Sequence, residues 1–405
     1  MFFPSKILFV SFIIFFYGLL QPFIACAEIE RANVKIEAQL FSLKPNSTYD
    51  LKRDVDLQGQ TISIPKGVTI RQSGGIIKNG KLIGNKTKII ARKAVFDNVS
   101  IQGTWDVENI STSLFRDLSY ENSLRDVMAL ASPSQNNYVR IEKGNYFISL
   151  DEKHKVGISV PSKTHLVIDG NIILRPNSLS YYEIVNTKGS DITISGRGSI
   201  VGDKHSHTGS QGEWGMGLYI RGKNINVRNI TIRDCWGDCI YVGNDARNVH
   251  IDKCLLDNGR RQGISITSAR NVYINDCVIK NVSGTAPEFA IDMEPNKGDT
   301  VTHIYIQNIK IQNCVGGITA SGKVKSSYLG DIYIDNCVVD DKVKLNSFQF
   351  YYANKVTLMN CTALDSSRKI QFKSVNTVIS KKNFVKGKVG HENYKDCKMV
   401  NGRRQ

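Results

Sequence analysis

The sequence predicts an all-β protein whose main body is a right-handed parallel β-helix, a solenoid of short stacked strands with a short N-terminal capping helix. Two observations carry this expectation. The pattern Ala-Arg-Asn-Val-x-Ile occurs at residues 246–251 and again 23 residues later at 269–274. The same apolar-x-apolar unit recurs at Leu166, Ile192, Ile225, Val249, Val272, Ile304, Ile332 and Val356, at spacings of 23 to 33 residues that leave room for loops. Each unit alternates apolar and polar residues, as a half-buried strand does.

Taken from the N-terminus, the 405 residues divide into four expected segments: 1–27, 28–112, 113–385 and 386–405. The first reads as a signal peptide. Lys6 precedes an apolar run from Ile7 to Leu20, and Ala25-Cys26-Ala27 follows as a small-x-small cleavage site before Glu28. An alternative reading makes Cys26 the lipidated residue of an anchored protein. Either way the chain is expected to be exported, to a periplasmic, cell-surface or secreted location, and no later segment is apolar enough for a membrane span. Residues 28–112 are strand-rich, with Gln60–Ile64, Gly67–Ile70 and Lys88–Ile90 on a shorter and less regular repeat, so a small β-rich domain is expected there. Ser123 to Ala131 reads as the capping helix over the open end of the coil stack. Residues 386–405 are polar and basic and read as a tail.

The formal net charge is +16, from 53 Lys+Arg against 37 Asp+Glu. In an exported protein such a balance favours an acidic polysaccharide as partner, although lysines spread singly along a chain also arise without any partner. No nucleic-acid-binding motif appears. Five residues after each anchor from Ile225 onward runs a column of Ile230, Cys254, Cys277, Ile309, Cys337 and Cys361. A column that takes Ile or Cys alike behaves as an internal apolar stack, so these cysteines read as small core residues. A disulfide between neighbours such as Cys254 and Cys277 is the alternative.

Fifteen residues after the anchor comes a second strand, at Ile240–Val242 and Ile264–Ile266, and then, four residues late, at Ile291–Met293. Tyr241, Ser265 and Asp292 are therefore expected in one outward column, with Gly243, Thr267 and Glu294 in the next. Candidate chemistry gathers around these strands. Cys235-Trp236-Gly237-Asp238-Cys239 enters the first of them. Asp238 is a candidate catalytic or orienting carboxylate and Trp236 a sugar-stacking face, against the reading of an ordinary Gly-Asp turn. Arg260, Arg261 and Gln262 occupy the equivalent turn one coil on, where guanidinium groups suit carboxylate or sulfate; a solvated turn, or a pair with Glu288, is the structural alternative. Asp292 and Glu294 stand two apart on a strand, about 6.6 Å along it, and both are expected to point outward. That matches the ~6.5–9.5 Å between the acid and base of an inverting glycosidase. Asn296 follows them. Glu213 and Trp214 lie one coil earlier and are expected near the same face, with His205 and His207 overhanging it as loop residues. No metal or cofactor site is expected.

These residues resemble the pectin-degrading β-helix superfamily, specifically its polygalacturonase-type glycoside hydrolases, over roughly residues 125–340. Gly198–Gly202 resembles the glycine-rich coil before that family's catalytic region. Gly237-Asp238-Cys239-Ile240 resembles its Gly-Asp-Asp-Cys-Ile motif, and Gly263–Ile266 the end of its Gly-His-Gly-Ile-Ser-Ile motif. Gly237 stands where the family's general acid falls, Gln262 where its histidine falls, and Asp292-x-Glu294 where it has Arg-x-Lys. The Asn-Thr-Asp motif has no counterpart, the aligned stretch being Gly215-Met216. The resemblance implies the fold and a glycan substrate, but not the family's mechanism. The same motifs also resemble poorly characterised β-helix proteins of bacteria and phages, which implies a shared site without a reaction.

Three functions stay open at this level. The leading expectation is a hydrolase of an acidic polysaccharide, with Asp292 and Glu294 as acid and base, Asp238 orienting water or substrate, and Arg260 and Arg261 holding acidic groups. A lyase on the same fold needs a base such as Arg261 or a loop histidine. A non-catalytic glycan-binding surface protein needs neither.

Overall fold

The computed structural model describes residues 43–118, 123–322, 326–365, 370–386, 392–395 and 397. The expected signal peptide and the candidate lipidation site at Cys26 lie outside these residues, as does most of 386–405. Strands account for nearly all the regular structure, and they divide into two compact units, residues 1–106 with 114–116, and residues 107–113 with 117–405.

The first unit is a six-stranded, wholly parallel sheet arrangement. Thr48 stands opposite Thr69 and Thr69 opposite Lys88, so its coils repeat every 19 to 21 residues along this edge. Its inward positions, among them Leu51, Ile62, Ile70, Ile77 and Leu82, are fully or nearly fully buried.

The second unit stacks three parallel sheets of 10, 12 and 10 strands among the described residues. Each coil contributes one strand to each sheet and then steps to the next coil, so that equivalent residues stack about 4.8 Å apart. The register confirms the repeat: Ile192, Ile225, Val249, Val272, Ile304, Ile332 and Val356 pair successively. One anchor is corrected. Leu166 pairs with Ile194, not Ile192, so the equivalent position in that coil is two residues earlier. A slip of two leaves the inward face unchanged, because side chains alternate with a period of two, and apolar spacing therefore does not detect it.

The repeated asparagine has a local cause. Asn224, Asn248 and Asn271 all adopt φ between 55° and 58° near the start of their strands in the 12-stranded sheet, a conformation that Asn tolerates better than most residues. Their amides form a ladder, Asn271 Nδ2 donating to Asn248 Oδ1 and Asn248 Nδ2 to Asn224 Oδ1, each at 3.0 Å. Cys254, Cys277, Cys337 and Cys361 are buried free thiols, as the core-stack reading expects.

The helix spans Ser123–Ala129 and packs at the first strand of one 10-stranded sheet, Val156–Pro161. Arg125 donates from Nε to Gly157 O and from Nη2 to Val156 O, each at 2.9 Å, so the helix satisfies edge carbonyls as a cap should. At the far end of the same sheet, Glu392–Lys395 pairs with Ile370–Lys373, placing a strand within the stretch that reads as tail. Among the described residues no helix is long and apolar enough to cross a membrane.

Stability depends on the stacked columns. Ile251 is fully buried and stacks between Val227 and Ile274. Ile251→Ala is expected to cost about 2–5 kcal/mol, since packed coils on both sides prevent collapse into the cavity. Denaturant unfolding checks this, and a loss below about 1 kcal/mol would contradict a tightly packed column.

Candidate functional site

The strands Trp214–Ile220, Ile240–Val242, Ile264–Ile266, Phe289–Met293 and Gly316–Ser321 lie side by side in one 10-stranded sheet. Their register places Tyr219, Tyr241, Ser265, Asp292 and Thr319 in one column, pointing away from the apolar interior. The four-residue delay before Ile291 is absorbed in the 283–287 loop, so the column stays aligned.

This outward column is not open to solvent along its length. Ser265 is 3% and Asp292 5% exposed, and Asp238, from the turn entering Ile240–Val242, is 1% exposed. Their partners come from residues 261–265, one coil after Asp238 and one coil before Asp292. Gln262 Nε2 donates to Asp292 Oδ2 at 2.7 Å, while its Oε1 accepts from the Phe289 backbone N–H at 2.7 Å. Ser265 Oγ donates to Asp238 Oδ2 at 2.7 Å. The Arg261 guanidinium lies between carboxylates, with Nη1 3.5 Å from Asp238 Oδ2 and Nε 3.6 Å from Glu213 Oε1. Both contacts are longer than a well-formed charge-assisted hydrogen bond. Arg261 Nε and Asp238 Oδ1 are buried with no hydrogen-bond partner within the protein. Buried polar atoms are normally paired, so two residues in contact that each keep such an atom mark the site out from an ordinary packed turn.

Burial sets the protonation of these groups. Loss of solvent raises Asp238 to about 6, against the opposing pull of Arg261 and the Ser265 hydroxyl. Loss of solvent, followed by the charge of neighbouring Glu294, raises Asp292 to about 7. For Arg261 burial alone favours the neutral form, but Asp238, Glu213 and Asp292 together outweigh it and hold the proton more firmly than usual. The arrangement therefore offers a carboxylic acid that keeps its proton near neutrality, a second buried carboxyl that acts on it electrostatically, and a cation paired with that second carboxyl.

The structure brings Glu213, Asp238, Arg261, Gln262 and Asp292 together, and it corrects several expectations. Asp292 and Glu294 are not an equivalent pair: Asp292 is buried against Gln262 and Glu294 is exposed. Gln262 has both amide ends engaged and no exposure, so it holds Asp292 and does not reach a ligand. Arg261 pairs with Glu213 and Asp238, and Glu288 instead accepts from the Gly284 N–H. Trp236 does not present a free face. The Arg260 guanidinium lies 3.6 Å above its ring and His207 stacks on it at 4.0 Å. Arg260 is thereby turned toward the carbonyls of Gly212 and Trp236. Trp214 is the exposed tryptophan here, at 45%. Nor do the two loop histidines act together. His207 is buried and bonded through Nδ1 to Asp203 Oδ2 at 2.8 Å, whereas His205 is exposed beside Asn258.

Sequence reading placed Tyr241 in this column but missed Tyr219, Arg221 and Glu183 beside it. Tyr219 and Tyr241 meet edge to face at 4.8 Å, and Arg221 lies 3.9 Å over the Tyr219 ring while pairing with buried Glu183. The Tyr241 hydroxyl accepts from Thr267 at 2.8 Å and meets Asn296. The register of adjacent coils is the signal that finds Tyr219, since Tyr219 and Tyr241 occupy the column of Asp292.

Residues 134–325 match a family model described as a right handed beta helix region. The fold is a right-handed parallel β-helix. The β-helix resembles two curated proteins of Bacillus subtilis (strain 168). One is the SPbeta prophage-derived uncharacterized protein YorA, 28% identical over 60% of this chain and 48% of its own. The other is the uncharacterized protein YclG, 30% identical over 51% of this chain and 41% of its own. The chain spans less than half the length of these relatives. Among solved structures, pectin methylesterase from Aspergillus niger aligns over 71% of this chain and 88% of its own, at 12% identity and a TM-score of 0.41.

Proposed function

We propose that this protein is an exported enzyme that hydrolyses an acidic polysaccharide lying across the coils of the β-helix. The observation that carries the reading is the pair of buried carboxyl groups, Asp238 and Asp292, both of which feel the charge of Arg261. Burying them costs stability, and a solenoid built only as a scaffold has no need of that cost. Export is supported by the apolar run Ile7–Leu20 and the small-x-small site that follows it.

In this reading Asp292 is the general acid. Its raised pKa keeps a proton available for the glycosidic oxygen as the bond to the anomeric carbon breaks. Exposed Glu294, two residues on, takes a proton from the water that adds to that carbon from the opposite side. Asp238 and Glu213 hold Arg261 through contacts longer than a well-formed charge-assisted hydrogen bond, and its guanidinium is the group offered to a carboxylate or sulfate of the substrate. Trp214, Glu213, Arg260 and Asn296 line the approach.

The pH dependence follows from the acid's protonation. Asp292 must hold its proton, so kcat is expected to fall about tenfold per unit as pH rises beyond about 7. Assay against a panel of uronate-containing, sulfated and neutral polysaccharides, scoring new reducing ends, tests the whole reading. Unsaturated products would assign a lyase instead, a reading that the firmly protonated Arg261 disfavours as base. Tight binding without turnover would assign a binding protein.

A further inference from the structure

The first unit carries a groove of its own. Where the strand Thr69–Gln72 ends and the long strand Ile77–Ile90 ends beside it, Arg71, Gln72, Ser73, Gly74, Ile90, Ala91, Arg92 and Lys93 enclose a cavity of about 520 Å³. All of these residues belong to the first unit.

Its charge is one-sided. The lining holds three cations and no carboxylate. One coil earlier at the same corner stand Lys52 and Arg53, placed there by the Ser73 N–H bond to Leu51 O and by the close approach of Gly75 to Arg53 O. Of the nearby acids, Asp50 pairs with Arg71 at 3.1 Å and Asp54 with Lys78 at 3.7 Å. Lys52, Arg53, Arg92 and Lys93 are exposed, and among the described residues none has a carboxylate partner. Stacked coils, about 4.8 Å apart, gather these cations at one corner, where like charges repel. Nothing in the packing of this unit requires them there.

We propose that this groove is a second binding site, for a chain of anionic polysaccharide. Guanidinium groups beside an ammonium suit repeated carboxylates or sulfates. Ile90, 42% exposed, supplies an apolar floor for the C–H face of a sugar ring. The lining has no aromatic side chain on which a nucleic-acid base can stack, which favours a glycan over a single-stranded nucleic acid. The choice of polymer rests on the acidic-glycan reading above. The site itself rests on the groove.

Binding is tested on the full chain carrying Asp292→Asn, so that polymer is held without turnover. Titration calorimetry with a soluble polyuronate, a neutral glucan and a single-stranded oligonucleotide reads affinity at low and high salt. Arg92→Glu with Lys93→Glu is expected to weaken polyuronate binding by about tenfold or more, and added salt to weaken the parent in the same way. Arg92→Gln with Lys93→Gln should give an intermediate loss. Lys310→Glu with Lys355→Glu, an equal charge change on exposed residues of the second unit, should leave affinity within about twofold. Unchanged affinity in the groove variant overturns the site. Equal loss in the control pair overturns it in favour of net charge, and tighter binding to the oligonucleotide overturns the glycan assignment. Hydrolysis is measured separately on the unmodified chain. Absence of new reducing ends there counts against the catalytic reading and leaves the groove standing.

Discussion

Asp292→Asn is expected to abolish polysaccharide cleavage and at the same time to stabilise the protein above neutral pH. Loss of a general acid costs about 10²–10⁴ in kcat. The gain in stability has a separate origin. Asp292 is raised from its usual value of 3.8 to about 7 in the folded state. Between those values the folded chain holds a proton that the unfolded chain gives up. Unfolding then releases a proton, and stability falls as pH rises through this window, by about 1.4 kcal/mol per unit for this one group. Asp238 contributes in the same direction between 3.8 and about 6. Asparagine does not titrate, and its side-chain oxygen can accept the hydrogen bond from Gln262 Nε2 that Asp292 accepts at 2.7 Å. At pH 4 the variant and parent should therefore have similar stability, and at pH 8 the variant should be more stable by about 1–3 kcal/mol. Thermal unfolding at the two pH values measures the difference. A variant with no added stability at pH 8 would show that Asp292 is not held as a buried acid, and undiminished cleavage would remove it from the mechanism.

Gln262→Leu is expected to have the opposite effect on stability. The amide of Gln262 satisfies two buried groups at once, the Asp292 carboxyl and the Phe289 N–H. Leucine fills similar space but leaves both unpaired. Each orphaned group costs about 1–3 kcal/mol, so a total loss of about 2–5 kcal/mol is expected. Asp292 also loses a donor that favours its charged form, so the alkaline limb of the pH–rate profile should move upward. Gln262→Glu separates the two roles. It retains an acceptor for Phe289 N–H but sets a second carboxyl against Asp292, and the two must then share protons. Stability within about 0.5 kcal/mol of the parent, with an unmoved pH profile in both variants, would reduce Gln262 to a space-filling residue.

These two residues illustrate the division between chain and fold. The strands, their stacking and the membership of each column are legible in the sequence, because alternation along a strand and the interval between coils are both local regularities. Val249 and Val272, 23 residues apart in the chain, are neighbours in the structure. The aligned column of Tyr241, Ser265 and Asp292 follows in the same way, as does the burial of Cys254 and Cys277. Where two placements share a face, as at Leu166, that regularity no longer decides between them, and only the hydrogen-bonded pairing does.

What the tertiary structure alone decided is which outward residues are covered. Asp292 and Glu294 have the same alternation and the same chemistry, yet the Gln262 side chain from the coil before reaches Asp292, while Glu294 stays exposed. His207, read from the sequence as a loop residue over the face, lies beneath it, bonded to Asp203 and stacked on Trp236. Trp236 in turn is occupied by Arg260. A side chain's solvent exposure is a property of its neighbours in three dimensions, and it is exposure that separates an ordinary surface carboxylate from one that keeps its proton at neutral pH. The sequence of this protein determined the scaffold and the roster of groups near the site; the packing of side chains across coils decided which of them is buried and holds its proton to higher pH.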